Sequence, residues 1–168
     1  MFLIKLNIFY KLEKILFISL GIMNDMSNKS IFKGKGIRFN YPLSWEAING
    51  MDPVLVAVKD IENDIVIGIS LQDYRTINMM DIDAVLKEEE SFCRTFDYDI
   101  IFKEEKKADG RNSYEIQYEN RSSNKNIIKI FIEREPGLYY EITRQSAIQN
   151  TDKNMNEFHA IIDSFKIE

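Results

Sequence analysis

Apolar and polar residues alternate along much of this chain with the period of half-buried strands. Ile37, Phe39 and Tyr41 alternate with Arg38 and Asn40, and Pro42 closes that run because proline cannot donate to a ladder. Two further strands are predicted at Val54–Val58 and Ile65–Leu71, joined by the polar turn Asp60-Ile61-Glu62-Asn63-Asp64. After a loop over 76–80 the period changes. Asp81 is a good N-cap for a helix running to about Phe96, with Ile82, Val85, Leu86, Phe92, Cys93 and Phe96 on its apolar stripe. Glu88 and Glu90 fall outside the stripe, and Glu89 falls at its edge.

The second half returns to strands, predicted at Tyr98–Glu104, Ser113–Glu119, Ile127–Arg134 and Leu138–Gln145. Turn residues separate them at Ala108-Asp109-Gly110, Asn120 to Asn124 and Pro136-Gly137. A closing helix capped by Asn150 or Thr151 presents Met155, Phe158 and Ile162, and Ser164 to Ile167 forms a short extended tail. Such runs of consecutive strands favour antiparallel pairing and an α+β class.

The last two strands also imply a register. Ile128, Ile130 and Ile132 must share a face with Tyr140 and Ile142, and a bare two-residue turn would mix the faces. An extra loop or bulge residue is therefore expected, with Ile132 opposite Tyr140 and Phe131 opposite Glu141. A shift of two would set Glu133 against Glu141, two like charges.

Composition adds bounds. The chain has 168 residues, 45% of them hydrophobic, which is enough for one domain with a substantial core. Its net charge is -5, but residues 1–36 are basic, and the remainder holds 16 basic and 25 acidic residues, a net of about -9. So acidic a domain repels phosphate backbones, which argues against nucleic acid as a partner.

Candidate chemistry is sparse. Cys93 is the single cysteine, so neither an intramolecular disulfide nor a thiolate metal cluster can form, and on its helix it reads as a small buried hydrophobe. The acidic groups Asp81/Asp83 and Glu88-Glu89-Glu90 are read as a capping turn and a solvated face in preference to a metal site. His159 is the single histidine, beside the closing helix's apolar stripe, and is expected to be a hydrogen-bonded packing residue. The segment Lys33-Gly34-Lys35-Gly36 lacks the GK[ST] ending of a phosphate loop and reads as a turn entering a strand. The chain contains neither a G-x-S-x-G nor an H-E-x-x-H pattern, and no enzyme, cofactor or metal is expected.

Residues 1–30 read as an extension, with the folded unit spanning 31–168. Met1–Met23 is apolar but broken by Lys5, Asn7, Lys11, Glu13 and Lys14, and its cleanest run, Ile15–Met23, is too short to span a bilayer. Three readings stand: translation starting at Met23 or Met26, a weak export signal or anchor, and an interfacial helix. A cytoplasmic location is expected under the first and membrane association or export under the second, where the sequons at Asn28 and Asn120 would matter.

Three stretches together resemble the PsbP-like family. Gly36–Trp45, with Phe39, Tyr41, Pro42 and Trp45, is similar to the family's Phe-x-x-Tyr-Pro-x-x-Trp opening, one residue shorter after the Phe. Gly110 and Tyr114 match a central Gly–Tyr strand, and Phe158–Ile167 resembles the closing helix and its Ser-Phe tail. The resemblance covers about Ile31 to Glu168. It implies a central antiparallel β-sheet flanked by helices, an α-β-α sandwich, in a superfamily that includes photosystem II PsbP, Mog-type Ran-binding proteins, periplasmic lipoproteins and secretion chaperones. Its members mostly bind proteins and share no catalytic constellation, although fold alone does not transmit function. Tyr41 and Trp45 also have a structural reading as aromatic core anchors.

An unidentified protein partner is thus the expected ligand, with an envelope-tethered protein and a hydrolase built on His159 as alternatives. The candidate partner patch is the polar face of the last hairpin: Phe131 and Tyr139 as aromatic anchors, Lys129 and Glu141 around them. Glu115, Gln117 and Glu119 would join it if their strand lies in the same sheet.

Overall fold

A computed structural model describes residues 29–50 and 52–168. The expected extension lies almost wholly outside these residues. Strands β1 (Lys29–Gly34), β2 (Ile37–Pro42), β3 (Glu46–Asn49), β4 (Val54–Asp60) and β5 (Ile65–Asp73) precede helix α1 (Ile82–Thr95). Strands β6 (Asp99–Ala108), β7 (Arg111–Asn120), β8 (Lys125–Glu135) and β9 (Leu138–Ala147) follow, then helix α2 (Met155–Ser164) and the short strand β10 (Lys166–Ile167).

The centre is a seven-stranded antiparallel sheet in the order β3-β4-β5-β9-β8-β7-β6. One face packs on a second, three-stranded sheet, β1-β2-β10, together with α2. Their shared core includes Ile37, Phe39, Tyr41 and Trp45, the sheet residues Val56, Ile67, Ile130 and Ile142, and Phe158 and Phe165 from the C-terminal segment. The other face is covered by α1. Strands make up 54% of the described residues, so the fold is mainly β with two helices, a correction to a sheet simply flanked by helices. The reason lies at the chain ends. β10 pairs with β2, placing Lys166 opposite Arg38, and Glu168 N donates to Gly36 O (2.9 Å), so a layer expected to be helical is largely a small sheet.

The family-like motif residues are structural. Phe165 meets Tyr140 edge-on at 5.5 Å between ring centroids, and Ser164 Oγ accepts a hydrogen bond from Asn40 N, locking the end of α2 to β2. Trp45 and Tyr41 are buried core anchors, as expected. β1 and β3 were not legible as strands, and β10 was legible only as part of an extended tail. Each is short or half-buried, and each is defined by the strand beside it.

The β8–β9 hairpin has the anticipated register. Ile132 faces Tyr140 and Phe131 faces Glu141, with a bulge between Glu133 and Glu135 that absorbs Arg134 as the extra residue. Gly137 sits at φ +75°, and a Cβ there would meet Arg75 Cγ at 2.6 Å. That close approach seats the 74–80 loop on the hairpin turn, where Tyr74 N donates to Gly137 O at 2.8 Å. The loop then delivers Met80 and Asp81 to the start of α1. The predicted cap is present: Asp81 Oδ1 accepts from Ala84 N at 2.8 Å.

Candidate functional site

The expected partner patch is brought together but not exposed. Phe131, Tyr139, Lys129 and Glu141 lie on one face of β8 and β9, and all four are buried beneath α1. As an exposed surface this patch is corrected, and the physical reason is the helix stripe. Val85, Leu86, Phe92 and Cys93 need an apolar floor, and Phe131 and Tyr139 are part of it. The contribution of β7 is also corrected. Tyr114 pairs with Phe131 and Ile116 with Lys129, so Tyr114, Ile116 and Tyr118 turn toward α1 while Glu115, Gln117 and Glu119 take the opposite face.

Charges are buried within this layer. Lys129 Nζ lies 3.0 Å from Glu89 Oε2 and 3.4 Å from Glu141 Oε1, and Thr143 Oγ1 donates to Glu141 Oε1 at 3.0 Å. Glu89, placed at the stripe's edge from sequence, is wholly buried. Burial alone would push the Lys129 ammonium down, but the carboxylates of Glu141 and Glu89 outweigh it and raise its pKa well above the usual lysine value. Tyr74 and Tyr118 are raised as well, chiefly by burial. This triad ties α1 to the sheet.

Where α1 begins, the layer opens. A cavity of about 650 Å³ lies between the N-terminus of α1, the β8–β9 turn and the β6–β7 hairpin. Phe131, Tyr139 and Tyr114 line it, with Met80 and Ile82 at the helix start. Asp81, Glu105 and Glu133 bring carboxylates to its lining, and Lys106 and Lys107 line it as well. The Tyr139 hydroxyl is pushed up to about 12, first by burial and then by the negative charge of Glu133 and Asp81. Two residues of the expected patch thus reappear as cavity lining.

Beside the cavity runs β6, ten residues long and last in the sheet. Every residue of it but Ala108 is exposed, including Ile100, Ile101 and Phe102 at 37%, 52% and 40%. The opposite edge, β3, has only four residues. The sequence did carry a signal for β6. An unalternating run of three apolar residues followed by five charged ones, Ile100 to Lys107, is the composition of a strand that lies at a sheet edge in contact with water.

The remaining candidates are dispersed. His159 is exposed on α2, not packed as expected, because Phe158 and Ile161 take the buried face. Cys93 is buried in the α1 cluster. Glu90 pairs with Lys103 at 2.7 Å. Asn120 of the second sequon is itself buried and shapes its turn, donating to Phe96 O and accepting from Ser122 Oγ and Ser123 N. Among the described residues no group of three His, Cys, Asp or Glu has an arrangement that could hold a metal ion, and no helix is long and apolar enough to cross a membrane.

Comparison with known proteins places this architecture. No curated protein matches the sequence. Among solved structures, cyanobacterial PsbP (CyanoP) from Synechocystis sp. PCC 6803 superposes with a TM-score of 0.62 at 15% identity, over 89% of this chain and 98% of that one. LpqN, involved in cell envelope biogenesis of Mycobacterium tuberculosis, gives 0.59 at 10% identity, over 88% and 89%. The Ran-binding protein Mog1p of Saccharomyces cerevisiae gives 0.54 at 9% identity, over 89% and 96%. At such identities the likeness shows the shared PsbP/Mog fold. The family profile described as "PsbP-like protein" matches residues 21–167, and the chain therefore belongs to the PsbP-like protein family.

Proposed function

We propose that this chain is a non-enzymatic protein-binding or assembly module whose partner docks at the β6 end of the large sheet. The observation that carries the reading is the pairing of a long exposed edge strand with an aromatic-lined cavity beside it. An edge strand presents a row of unpaired backbone donors and acceptors, which an extended segment of another protein can satisfy. Apolar anchors within a polar rim are the usual composition of such contacts, and Ile100, Ile101 and Phe102 supply them among the charges of β6. Mog1p, of the same fold, is named for binding Ran. The hydrolase alternative finds no support, since His159 is exposed on α2 and is not among the residues lining the cavity.

The test is a photo-crosslinking residue placed at position 101 in the native cell. A control is placed at Ile61, which is 64% exposed in the β4–β5 turn at the far side of the sheet. A defined protein adduct is expected from position 101 and not from 61. Equal or absent adducts at the two positions would overturn the reading.

A further inference from the structure

We infer that the cavity beside β6 takes the cationic side chain of a lysine or arginine supplied by the protein partner. This rests on the protein-binding reading above and adds the chemistry of the contact.

The rings come first. Tyr114, Phe131 and Tyr139 offer aromatic surface to an organic cation, which the ring quadrupole attracts within about 6 Å of a centroid. A cavity of about 650 Å³ has room for a long side chain, whose methylene stem packs on Met80 and Ile82.

The carboxylates supply the second, independent argument. Glu105 and Glu133 both line the cavity, and among the described residues neither side chain has a hydrogen-bond or ion-pair partner. Lysines lie close by, and two of them, Lys106 and Lys107, also line the cavity. Lys103 is held by Glu90 at 2.7 Å, and Lys107 donates to Asn112 Oδ1. Lys106 is bound by Glu115 at 2.8 Å and Glu104 at 3.1 Å. Its register beside Ser113 puts that ammonium on the face opposite Tyr114. With Lys106 paired away, the lining sets three carboxylates, Asp81, Glu105 and Glu133, against the single ammonium of Lys107, an excess of acid. The net charge of about -9 over residues 37–168 acts in the same direction at longer range.

A second copy of this chain fits less well. Antiparallel pairing of β6 with itself must set one residue on the two-fold axis, and through the charged stretch this is Lys103, Glu104, Glu105 or Lys106 facing its own copy. Each choice juxtaposes like charges, and a register centred on Ile101, which avoids them, leaves the cavity-lining end of β6, Glu105 to Lys107, unpaired. A basic segment of a different protein meets no such conflict.

The probe is the peptide acetyl-Thr-Val-Arg-Val-Thr-amide, compared with its counterpart carrying neutral, near-isosteric citrulline in place of arginine. Binding is followed by amide and tyrosine-ring NMR shifts of the full chain. The arginine peptide is expected to shift Tyr114 and Tyr139 and to bind at least about tenfold more tightly than the citrulline peptide, a difference that shrinks as salt is raised. Glu133→Gln and Glu105→Gln should each weaken the arginine peptide about threefold to fivefold. Equal binding of the two peptides would overturn the cationic assignment, as would indifference to both substitutions. No shift at about 10 mM peptide would overturn it as well. Each of these failures is separable from failure of the binding reading, which the crosslink at position 101 decides without reference to charge.

Discussion

The two faces of the large sheet are built on different principles. The face toward β1, β2, β10 and α2 is an apolar jigsaw in which Ile37, Phe39, Ile67, Ile132, Ile142, Phe158 and Phe165 are all within 1% of complete burial. The face beneath α1 is aromatic and carries the buried Lys129 with Glu89 and Glu141, and it ends in the cavity that Phe131 and Tyr139 line. Burial of apolar area stabilises the first face without needing exact partners. The second depends on charges that are costly to bury unless they remain paired. The contrast separates a face that holds the fold from one that positions a surface.

Substitutions can break or sharpen this comparison. The largest effect belongs to the apolar face, where Trp45→Ala should cost about 3–5 kcal/mol in urea unfolding. A fully stable variant would show that Trp45 is not a core anchor. Lys129→Met should cost a comparable amount, about 3–5 kcal/mol, because it strands two buried carboxylates. Unlike the tryptophan loss, this one is repairable. Adding Glu89→Met and Glu141→Leu should restore most of the stability, since apolar groups of similar volume often replace a buried ionic cluster at no net cost. Failure of that rescue would mean the triad contributes more than pairing.

The same triad has a pH signature. Lys129 has a raised folded pKa, so its contribution is fully present below the ordinary lysine value of 10.5 and is lost as pH rises through the higher folded value. The buried Tyr74 and Tyr118 act in the same sense, because their hydroxyls ionise more readily in the unfolded chain. Stability should therefore fall above about pH 10, and less steeply in the repaired triple variant. Equal slopes would remove Lys129 from the account.

Smallest is the helix cap at the cavity mouth. Asp81→Ala should cost about 1 kcal/mol by thermal unfolding, through the lost bond to Ala84 N. A loss of several kcal/mol would show that the cap also supports the sheet beneath it.

Local pattern alone placed seven of the ten described strands, both helices and the Asp81 cap, because alternation, helical stripe and cap chemistry are written within a few residues of each other. It also set the β8–β9 register, since mixing Ile132 with the polar side would have cost the hairpin its apolar face. The helix α2 began later than its predicted caps, at Met155, because Ile148–Asn150 forms a separate turn of 3₁₀ helix first.

What the tertiary structure decided is which faces are covered. Phe131 and Tyr139 share their strand face with the polar residues Lys129, Glu133 and Glu141, so the chain reads as if they were exposed anchors. α1, some forty residues earlier, closes over them, and Lys129 finds Glu89 across that same gap. Likewise, nothing local distinguishes β6 from an interior strand except its charges, and its place at the edge follows from how the other strands pair. Periodicity tells a residue which side of its own strand it occupies. Only the packing of distant elements decides whether that side meets a helix, a second sheet, a cavity or water.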